Sequence, residues 1–339
     1  MERVYAGIDL HSSNNFIGII DERDKRLFGK KLPNDTETVL KTLEPFRENL
    51  VGIAIESTYN WYWIVDDLME EKFKVRLANP SAIRQYEGLK HTDDKWDAFW
   101  LAHMLRLSIL PVGYIYPKEE RPVRDLLRRR LFFVRQRTAL ILSLQGMITR
   151  NLGIRFSGNK IKSLTEHDAE EMFGHRCLVA SAVSSITITR SLLVEIRGIE
   201  REIVSHAKLR PEFEFLQTIP GIGKILALTI MLEAGDIGRF PKVGNYSSYC
   251  RCVKSERISN EKLKGRGNTK NGNKYLSWAY VEAANFAIRH SPEARKFWQR
   301  KMAKTNRIVA TKALANKLAR ASYYIIRDRV PFDSERLFG

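Results

Sequence analysis

The segment RVYAGIDLH (residues 3–11) decides the fold of the N-terminal part of the chain. Its short run of apolar and small residues, ending in an acid, predicts a buried β-strand over 3–9. FIGII (16–20) and residues 26–32 predict two further strands, with the turn sequence DERDK between them. The three strands together indicate an antiparallel meander.

Helices and strands alternate after the meander. The pattern predicts helices over 36–48, 60–71 and 94–107, and strands at VGIAIE (51–56) and FKVRLA (73–78). Three strands followed by alternating helix and strand give an α/β order, which fits a ribonuclease-H-like sheet.

The remainder of the chain has a helical pattern. Residues 121–150 and 178–209 predict two long helices on either side of a polar stretch, typical of a helical hairpin or coiled-coil spacer. Long helices of this kind often pair, so oligomerisation is expected. A mainly helical C-terminal part follows. The expected fold class is α/β plus α, with domains at 1–118, 119–210 and 211–339.

The charge balance indicates the partners. The 339 residues contain 57 Lys and Arg against 39 Asp and Glu, a formal net charge of +18, which favours a polyanion such as nucleic acid. No apolar run approaches the roughly 18 residues of a spanning helix, and no signal peptide is evident, so we expect no membrane association. The sparse cysteines Cys177, Cys250 and Cys252 argue against disulfides and a zinc site, and favour a reducing cytoplasm.

Four acids are the candidate metal ligands. Asp9 closes the first strand and Glu56 closes VGIAIE, each on a face of small residues. Asp94 and Asp97 are three residues apart on a predicted helix and project from one side. Carboxylates gathered in this way repel one another unless a hard cation binds them. Mg²⁺ prefers oxygen ligands and also binds phosphate.

Each acid also has a purely structural explanation. A strand-terminal Asp is often a turn former, and HTDDKWD (91–97) could be an ordinary helix start. Asp93 is four residues from Asp97 and could replace Asp94 as the third acid. We favour Asp94, because Asp93 suits an N-cap position.

TIPGIGK (218–224) has the pattern of a helix-hairpin-helix turn. Gly221 and Gly223 would allow the backbone to approach a phosphate, the first N–H groups of the next helix would bind it, and Lys224 would add charge. A tight structural turn explains the two glycines equally well.

Residues 251–274 form a glycine-rich basic segment with eight Lys or Arg against two Glu. Ser255 and Ser259 are its serines, and either could attack a phosphodiester while neighbouring guanidinium groups stabilise the developing charge. The alternative is a phosphate-binding loop whose serines only donate hydrogen bonds. The candidate nucleic-acid contacts in this segment are Arg257, Arg266, Lys270 and Lys274.

Several motifs together resemble a known family. YAGIDLH, AIEST and DKWDA resemble the Asp-Glu-Asp-Asp (DEDD) transposase domain, whose fold is similar to that of the Holliday-junction resolvase RuvC. LQTIPGIG, AGDIGRF, SYCRCVKSERISN and GNTKNGNKYL resemble the C-terminal domain of the same transposases. These are the DEDD insertion-sequence transposases, which include bridge-RNA-guided recombinases and Piv-type invertases. The chain differs from many members at Arg251, Cys252 and Lys254, and has Asn260 after the serine where a glycine is common.

The resemblance implies a prokaryotic DNA transposase or site-specific recombinase. It implies Mg²⁺ at Asp9, Glu56, Asp94 and Asp97, and a covalent DNA linkage to Ser259. It also implies double-stranded DNA partners at the element ends and target, a non-coding bridge RNA, and a homo-oligomer, either a dimer or a tetramer.

Two other functions remain open at this point. A RuvC-like structure-specific endonuclease would hydrolyse DNA with the four acids alone, and a non-catalytic protein would only bind nucleic acid. The serine-bearing C-terminal region argues against the first, and the four acids argue against the second.

Overall fold

The computed structural model describes residues 2–83, 94–207, 209–253, 256–259, 261–266 and 271–339. The chain divides into two compact units, Met1–Lys118 and Glu119–Gly339.

A five-stranded mixed sheet organises the first unit. Its strands are β1 (Val4–Leu10), β2 (Asn14–Asp21), β3 (Arg26–Pro33), β4 (Leu50–Glu56) and β5 (Val75–Ala78). Its helices are α1 (Thr36–Leu43), α2 (Tyr62–Glu70) and α3 (Asp94–Arg106), and a short 3-10 helix spans Glu44–Asn49. The strand order is β3-β2-β1-β4-β5, in which β1 to β3 are antiparallel neighbours and β4 and β5 run parallel to β1.

Both faces of the sheet are covered, which is why every residue of β1 is buried. Ala6, Ile8 and Ile53 belong to a core that includes apolar side chains of α1 and α2. On the other face, residues of α3 such as Phe99 and Ala102 cluster with Tyr5 and Ile20.

A row of glycines brings α3 onto this second face. Gly7, Gly18 and Gly29 are direct register partners across β1, β2 and β3. A Cβ on Gly7 would lie 2.0 Å from the carbonyl oxygen of Ala98, and one on Gly18 would lie 2.9 Å from the Phe99 ring. Only residues without a side chain allow the helix to pack this closely.

The second unit is mainly helical. Its long helices are α4 (Arg121–Leu152) and α7 (Arg176–His206), with the short α5 (Gly158–Ser163) and α6 (Glu166–Met172) between them. The C-terminal helices are α8 (Glu212–Gln217), α9 (Lys224–Ala234), α10 (Val243–Tyr249), α11 (Lys274–His290), α12 (Pro292–Met302), α13 (Arg307–Asp328) and α14 (Ser334–Phe338). The strands β6 (Glu256–Ser259) and β7 (Lys262–Arg266) pair as an antiparallel hairpin between α10 and α11.

The helix α9 lies at the centre of the main core of this unit. All residues from Leu226 to Ala234 are buried, which explains an almost uninterrupted apolar sequence. Ala283 and Ala287 of α11 and Leu314 and Leu318 of α13 belong to the same core. The α/β plus α class expected from the sequence is therefore confirmed at this level.

Among the residues that the structure describes, one helix, α7, is long and apolar enough by length and composition to cross a membrane, and 11% of that apolar window is buried. Serine and threonine residues interrupt its apolar residues, so a search for unbroken apolar runs does not detect it. Both ends of α7 lie in the second unit, where it pairs with α4.

The structure differs from the sequence expectation between α10 and α11. The glycine-rich basic segment 251–274, for which the sequence predicted no strand, contains the paired strands β6 and β7. The polar stretch between the two long helices, for which the sequence predicted no element, contains α5 and α6.

Candidate functional site

Strand register aligns Asp9 with Glu56. The parallel pairing of β1 with β4 matches Gly7 to Ala54 and Ile8 to Ile55, so the next residues along both strands are level with each other. Parallel register partners point to the same face of a sheet. Both acids therefore lie on the face that α3 covers.

The carboxyl groups of Asp9 and Glu56 lie within hydrogen-bonding distance of each other. Asp9 is 3% exposed, and its Oδ2 lies 3.0 Å from Nε2 of His11. Burial, together with a hydrogen bond to Asp9 and the negative charge of Asp9, raises the pKa of Glu56 to about 7. Two acids with one proton between them form a site where added positive charge is favourable.

Two asparagines from neighbouring loops hold the backbone beside this pair. The carbonyl oxygen of His11 accepts hydrogen bonds from Nδ2 of Asn34 and of Asn60, both at 2.9 Å. Thr58 in turn donates to Oδ1 of Asn60. His11 is a site residue that the sequence motifs did not indicate. Its position two residues after the strand-terminal acid was the available signal.

The other two candidate acids lie at the start of α3. Asp94 is the first residue of the helix, and its side chain is outside the described residues, as is Asp93 altogether. Asp97 is half-buried and directly precedes Ala98, whose carbonyl oxygen faces Gly7. Within the described residues, no group of three or more His, Cys, Asp or Glu side chains could hold a metal ion. Among the candidate acids whose side chains are described, the structure brings Asp9 and Glu56 together.

The chemistry of Asp9 and Glu56 fits a divalent cation. Both offer carboxylate oxygens, the ligands that Mg²⁺ prefers, and a cation would remove the repulsion that now favours a shared proton. The described part of the site supplies these two ligands.

In the glycine turn at 218–224, the backbone of α11 fills the space beside Gly221. Gly221 has φ +88°, and a Cβ there would lie 2.2 Å from the carbonyl oxygen of Ala283 in α11. The absence of a side chain at Gly221 is therefore required by packing. Gly223 is exposed, with no atom within 4 Å of the position of a Cβ, and precedes the exposed Lys224 at the start of α9.

The basic hairpin contains the candidate nucleophile. Ser259 ends β6 and is paired with Lys262, and Arg257 is paired with Gly265. The side chains of Arg257, Ser259 and Arg266 lie outside the described residues, as do Ser255 and Lys270 entirely. Lys274, the first residue of α11, is exposed. Asn273, just before it, is buried, and its Nδ2 donates a hydrogen bond to Oε2 of Glu233 at 2.7 Å.

Two family models match the chain. One, a DEDD-type model described as a transposase, covers residues 6–151, and one described as the transposase IS116/IS110/IS902 family covers residues 213–299. The first range includes all four candidate acids, and the second includes the glycine turn and both candidate serines.

Curated proteins with similar sequences are bacterial transposases. The transposase for insertion sequence element IS1111A of Coxiella burnetii is 26% identical over 255 residues, which cover 72% of this chain and 69% of that protein. The putative transposase y4qE of Sinorhizobium fredii is 26% identical over 308 residues, or 86% of this chain and 73% of that protein. A probable family 20 transposase of Pseudomonas aeruginosa is 23% identical over 285 residues, or 81% and 83% of the two chains.

Proposed function

Because this chain belongs to the DEDD insertion-sequence transposases of the IS110 family, we propose that it cuts and rejoins DNA through a phosphoserine at Ser259, with Mg²⁺ held by four acids. The Asp9–Glu56 pair carries this proposal. Two hydrogen-bonded carboxyl groups at the ends of adjacent parallel strands, with the pKa of Glu56 raised to about 7, form an acidic site within a strongly basic protein.

The strand order supports a ribonuclease-H-like, RuvC-like assignment of the first unit. An antiparallel meander extends on one side of β1, and parallel strands extend on the other. We assign catalytic acids to residues 1–118, a spacer and oligomerisation role to 119–210, and strand transfer to 211–339.

The acids and the serine would have separate tasks. Asp9 and Glu56, with Asp94 and Asp97, would hold the cation, which when bound neutralises charge on the scissile phosphate. The hydroxyl oxygen of Ser259 would form a bond to phosphorus, and the bond from phosphorus to a deoxyribose oxygen would break. The serine proton would leave to solvent or a nearby base, and the departing oxygen would take up a proton. Because the phosphodiester becomes a phosphoserine ester, the reverse step can rejoin strands without an external energy source.

The proposed partners follow from charge and family. Double-stranded DNA at the element ends and target would be the substrate, and Lys224, Lys274 and the arginines of the hairpin would contact phosphates. We further propose an element-encoded bridge RNA as guide, a homo-oligomer, and action in the prokaryotic cytoplasm.

The test of the nucleophile is a denaturing gel of the protein incubated with end-labelled substrate DNA and Mg²⁺. Wild type and Ser255→Ala should retain labelled protein, whereas Ser259→Ala should bind DNA but yield neither adduct nor recombinant. Label that persists on Ser259→Ala protein would refute the assignment. Free DNA ends without any adduct in wild type would favour a hydrolytic endonuclease.

The acidic site is tested by Asp9→Asn and Glu56→Gln. Each should abolish the adduct while DNA binding is kept, and excess chelator should have the same effect on wild type. Glu70→Gln is the matched control, because Glu70 is an exposed acid in the same unit whose ion pair with Lys118 lies at the surface. Full activity of both site variants would exclude the proposed metal site.

A further inference from the structure

A buried carboxylate outside the acidic site lies where α4, α9 and the start of α11 meet. Glu233, in the last turn of α9, is 1% exposed. Its Oε1 accepts a hydrogen bond from Nε of Arg128 at 2.6 Å, and its Oε2 accepts one from Nη2 of Arg128 at 2.9 Å. Arg124 donates to Oε2 at 3.2 Å, and Nδ2 of Asn273 donates to the same oxygen at 2.7 Å.

The surroundings keep Glu233 ionised despite its burial. Burial alone would raise its pKa, but the hydrogen bonds and charges of Arg128 and Arg124, with Asn273, outweigh it and lower the pKa. A buried charge is tolerated only when it is paired and hydrogen-bonded in this way. The carboxylate is consequently a fixed point to which α4 and the N-terminus of α11 are attached.

Asn273 connects this point to the basic hairpin. Its Oδ1 accepts hydrogen bonds from the backbone N–H groups of Tyr275 and Leu276, so it caps α11. Its own N–H donates to the carbonyl oxygen of Tyr249 at 2.6 Å. Through its side chain and its backbone N–H, Asn273 thus joins the start of α11, the carboxylate of Glu233 and the carbonyl oxygen of Tyr249.

The chain on both sides of the hairpin is held close to the same place. Nε of Arg251 donates to the carbonyl oxygen of Gly272 at 3.1 Å, across the base of the hairpin. Nδ2 of Asn316 in α13 donates to the carbonyl oxygen of Cys252 at 3.1 Å. Gly272 has φ +85°, and a Cβ there would lie 2.5 Å from the carbonyl oxygen of Tyr249. We call the residues held by these contacts, Arg251, Cys252 and Gly272, the stem of the hairpin.

We propose that Glu233 is a positioning residue for strand transfer, which acts through Asn273 to fix the stem of the β6–β7 hairpin and thereby the place of Ser259. The inference rests on the proposed function, in which the hairpin carries the nucleophile. A nucleophile displaced by about 1 Å can lose a hundredfold in rate, so a mobile stem would reduce chemistry more than binding. The arginines on α4 attach the stem to one of the two long helices of this unit.

Asn273→Ser provides the most selective test. Serine is a good N-cap residue, so the cap on α11 is kept while the hydrogen bond to Glu233 is lost. The experiment measures single-turnover adduct formation, DNA affinity and backbone amide exchange of β6 and β7. We expect the rate of adduct formation to fall to about a tenth of the wild-type rate or below. The DNA affinity should stay within about twofold of wild type, and amide exchange in the hairpin should be faster.

Tyr323→Phe is the matched control for lost stability. It removes another buried hydrogen bond of the same unit, from Tyr323 to the carbonyl oxygen of Phe240, which does not involve the hairpin. This variant should leave hairpin exchange and adduct rate unchanged even where its melting temperature falls as far as that of Asn273→Ser. Glu233→Gln should reproduce the effects of Asn273→Ser with a larger loss of stability, because two arginines lose their carboxylate.

Unchanged hairpin exchange and adduct rate in Asn273→Ser would overturn the proposal, as would equal losses in Tyr323→Phe. The exchange measurement does not require Ser259 to be the nucleophile. If wild type forms no adduct, the proposed function fails, while faster hairpin exchange in Asn273→Ser still supports anchoring by Glu233.

Discussion

Gly7→Ala offers a direct test of how the first unit places its acids. The added Cβ would lie 2.0 Å from the carbonyl oxygen of Ala98 and 2.7 Å from the backbone nitrogen of Ala102. Both contacts are with helix backbone, so no side-chain rotation can relieve them. The helix α3 must move away from β1, or the strand must bend.

The size of the effect follows from overpacking. Extra methylenes in well-packed cores lower the free energy of unfolding by about 1–3 kcal/mol. Because the Cβ added in Gly7→Ala would clash with helix backbone, we expect a loss at the upper end of this range, about 3 kcal/mol. Gly198→Ala is the control, because a Cβ there meets no atom within 4 Å in the middle of α7. Replacing a helical glycine with alanine should stabilise by about 0.5–1 kcal/mol.

Urea unfolding followed by tryptophan fluorescence can measure both variants. Trp96 and Trp100 lie on α3 itself and stack at 5.3 Å between ring centroids, so they report movement of this helix. Gly7→Ala should lower the unfolding midpoint of the first unit and reduce adduct formation, because α3 carries Asp94 and Asp97. A Gly7→Ala protein as stable and active as wild type would refute the packing argument.

Three further outcomes are expected. Gly221→Ala should destabilise the second unit by about 3 kcal/mol in thermal denaturation, because its Cβ would lie 2.2 Å from the carbonyl oxygen of Ala283, whereas Gly223→Ala should change stability little. Since the folded state raises the pKa of Glu56 to about 7, metal-free wild type should lose stability as pH rises from about 4.5 to 7 in chelator, and Glu56→Gln should remove that loss. Lys274→Gln should weaken DNA binding for all sequences alike and reduce the slope of log affinity against log salt by about one, and an effect confined to one sequence would indicate base recognition instead.

Apolar patterns predicted the elements of the first unit closely. Strand 51–56 corresponds to Leu50–Glu56, and helix 94–107 corresponds to Asp94–Arg106. These segments bury apolar residues at the period of their secondary structure, so the signal is local. Counting by twos also placed Asp9 and Glu56 on small-residue faces, although only the parallel register shows that they are level.

Other elements left weaker signals in the sequence. The strands β6 and β7 are short and polar, and a two-stranded ribbon has no apolar face from which alternation could be detected. The helix α6 did carry a signal, since Thr165 and Asp168 form a capping box three residues apart. A polar composition between two long helices concealed it.

Residues that act through tertiary contacts could not be selected from the sequence alone. Glu233 is a single acid in an apolar helix, and its partners Arg124 and Asn273 are more than a hundred and forty residues apart from each other along the chain. The apolar sequence of α9 indicates that Glu233 is buried, but its partners could not be identified from the sequence because the pairing arises only when α4, α9 and α11 pack together.

In each unit, a glycine near a candidate residue allows close contact between two segments of backbone. Gly7 precedes Asp9 by two residues and contacts the backbone of α3, and Gly272 precedes Asn273 and lies against the carbonyl oxygen of Tyr249. At each position the neighbouring backbone occupies the space of a Cβ, so the chain is fixed by main-chain contact, without dependence on a rotamer. The positions of the acid pair and of the hairpin stem therefore depend on backbone packing at these two glycines. Substitution of either glycine should therefore impair adduct formation by displacing the acid pair or the base of the hairpin.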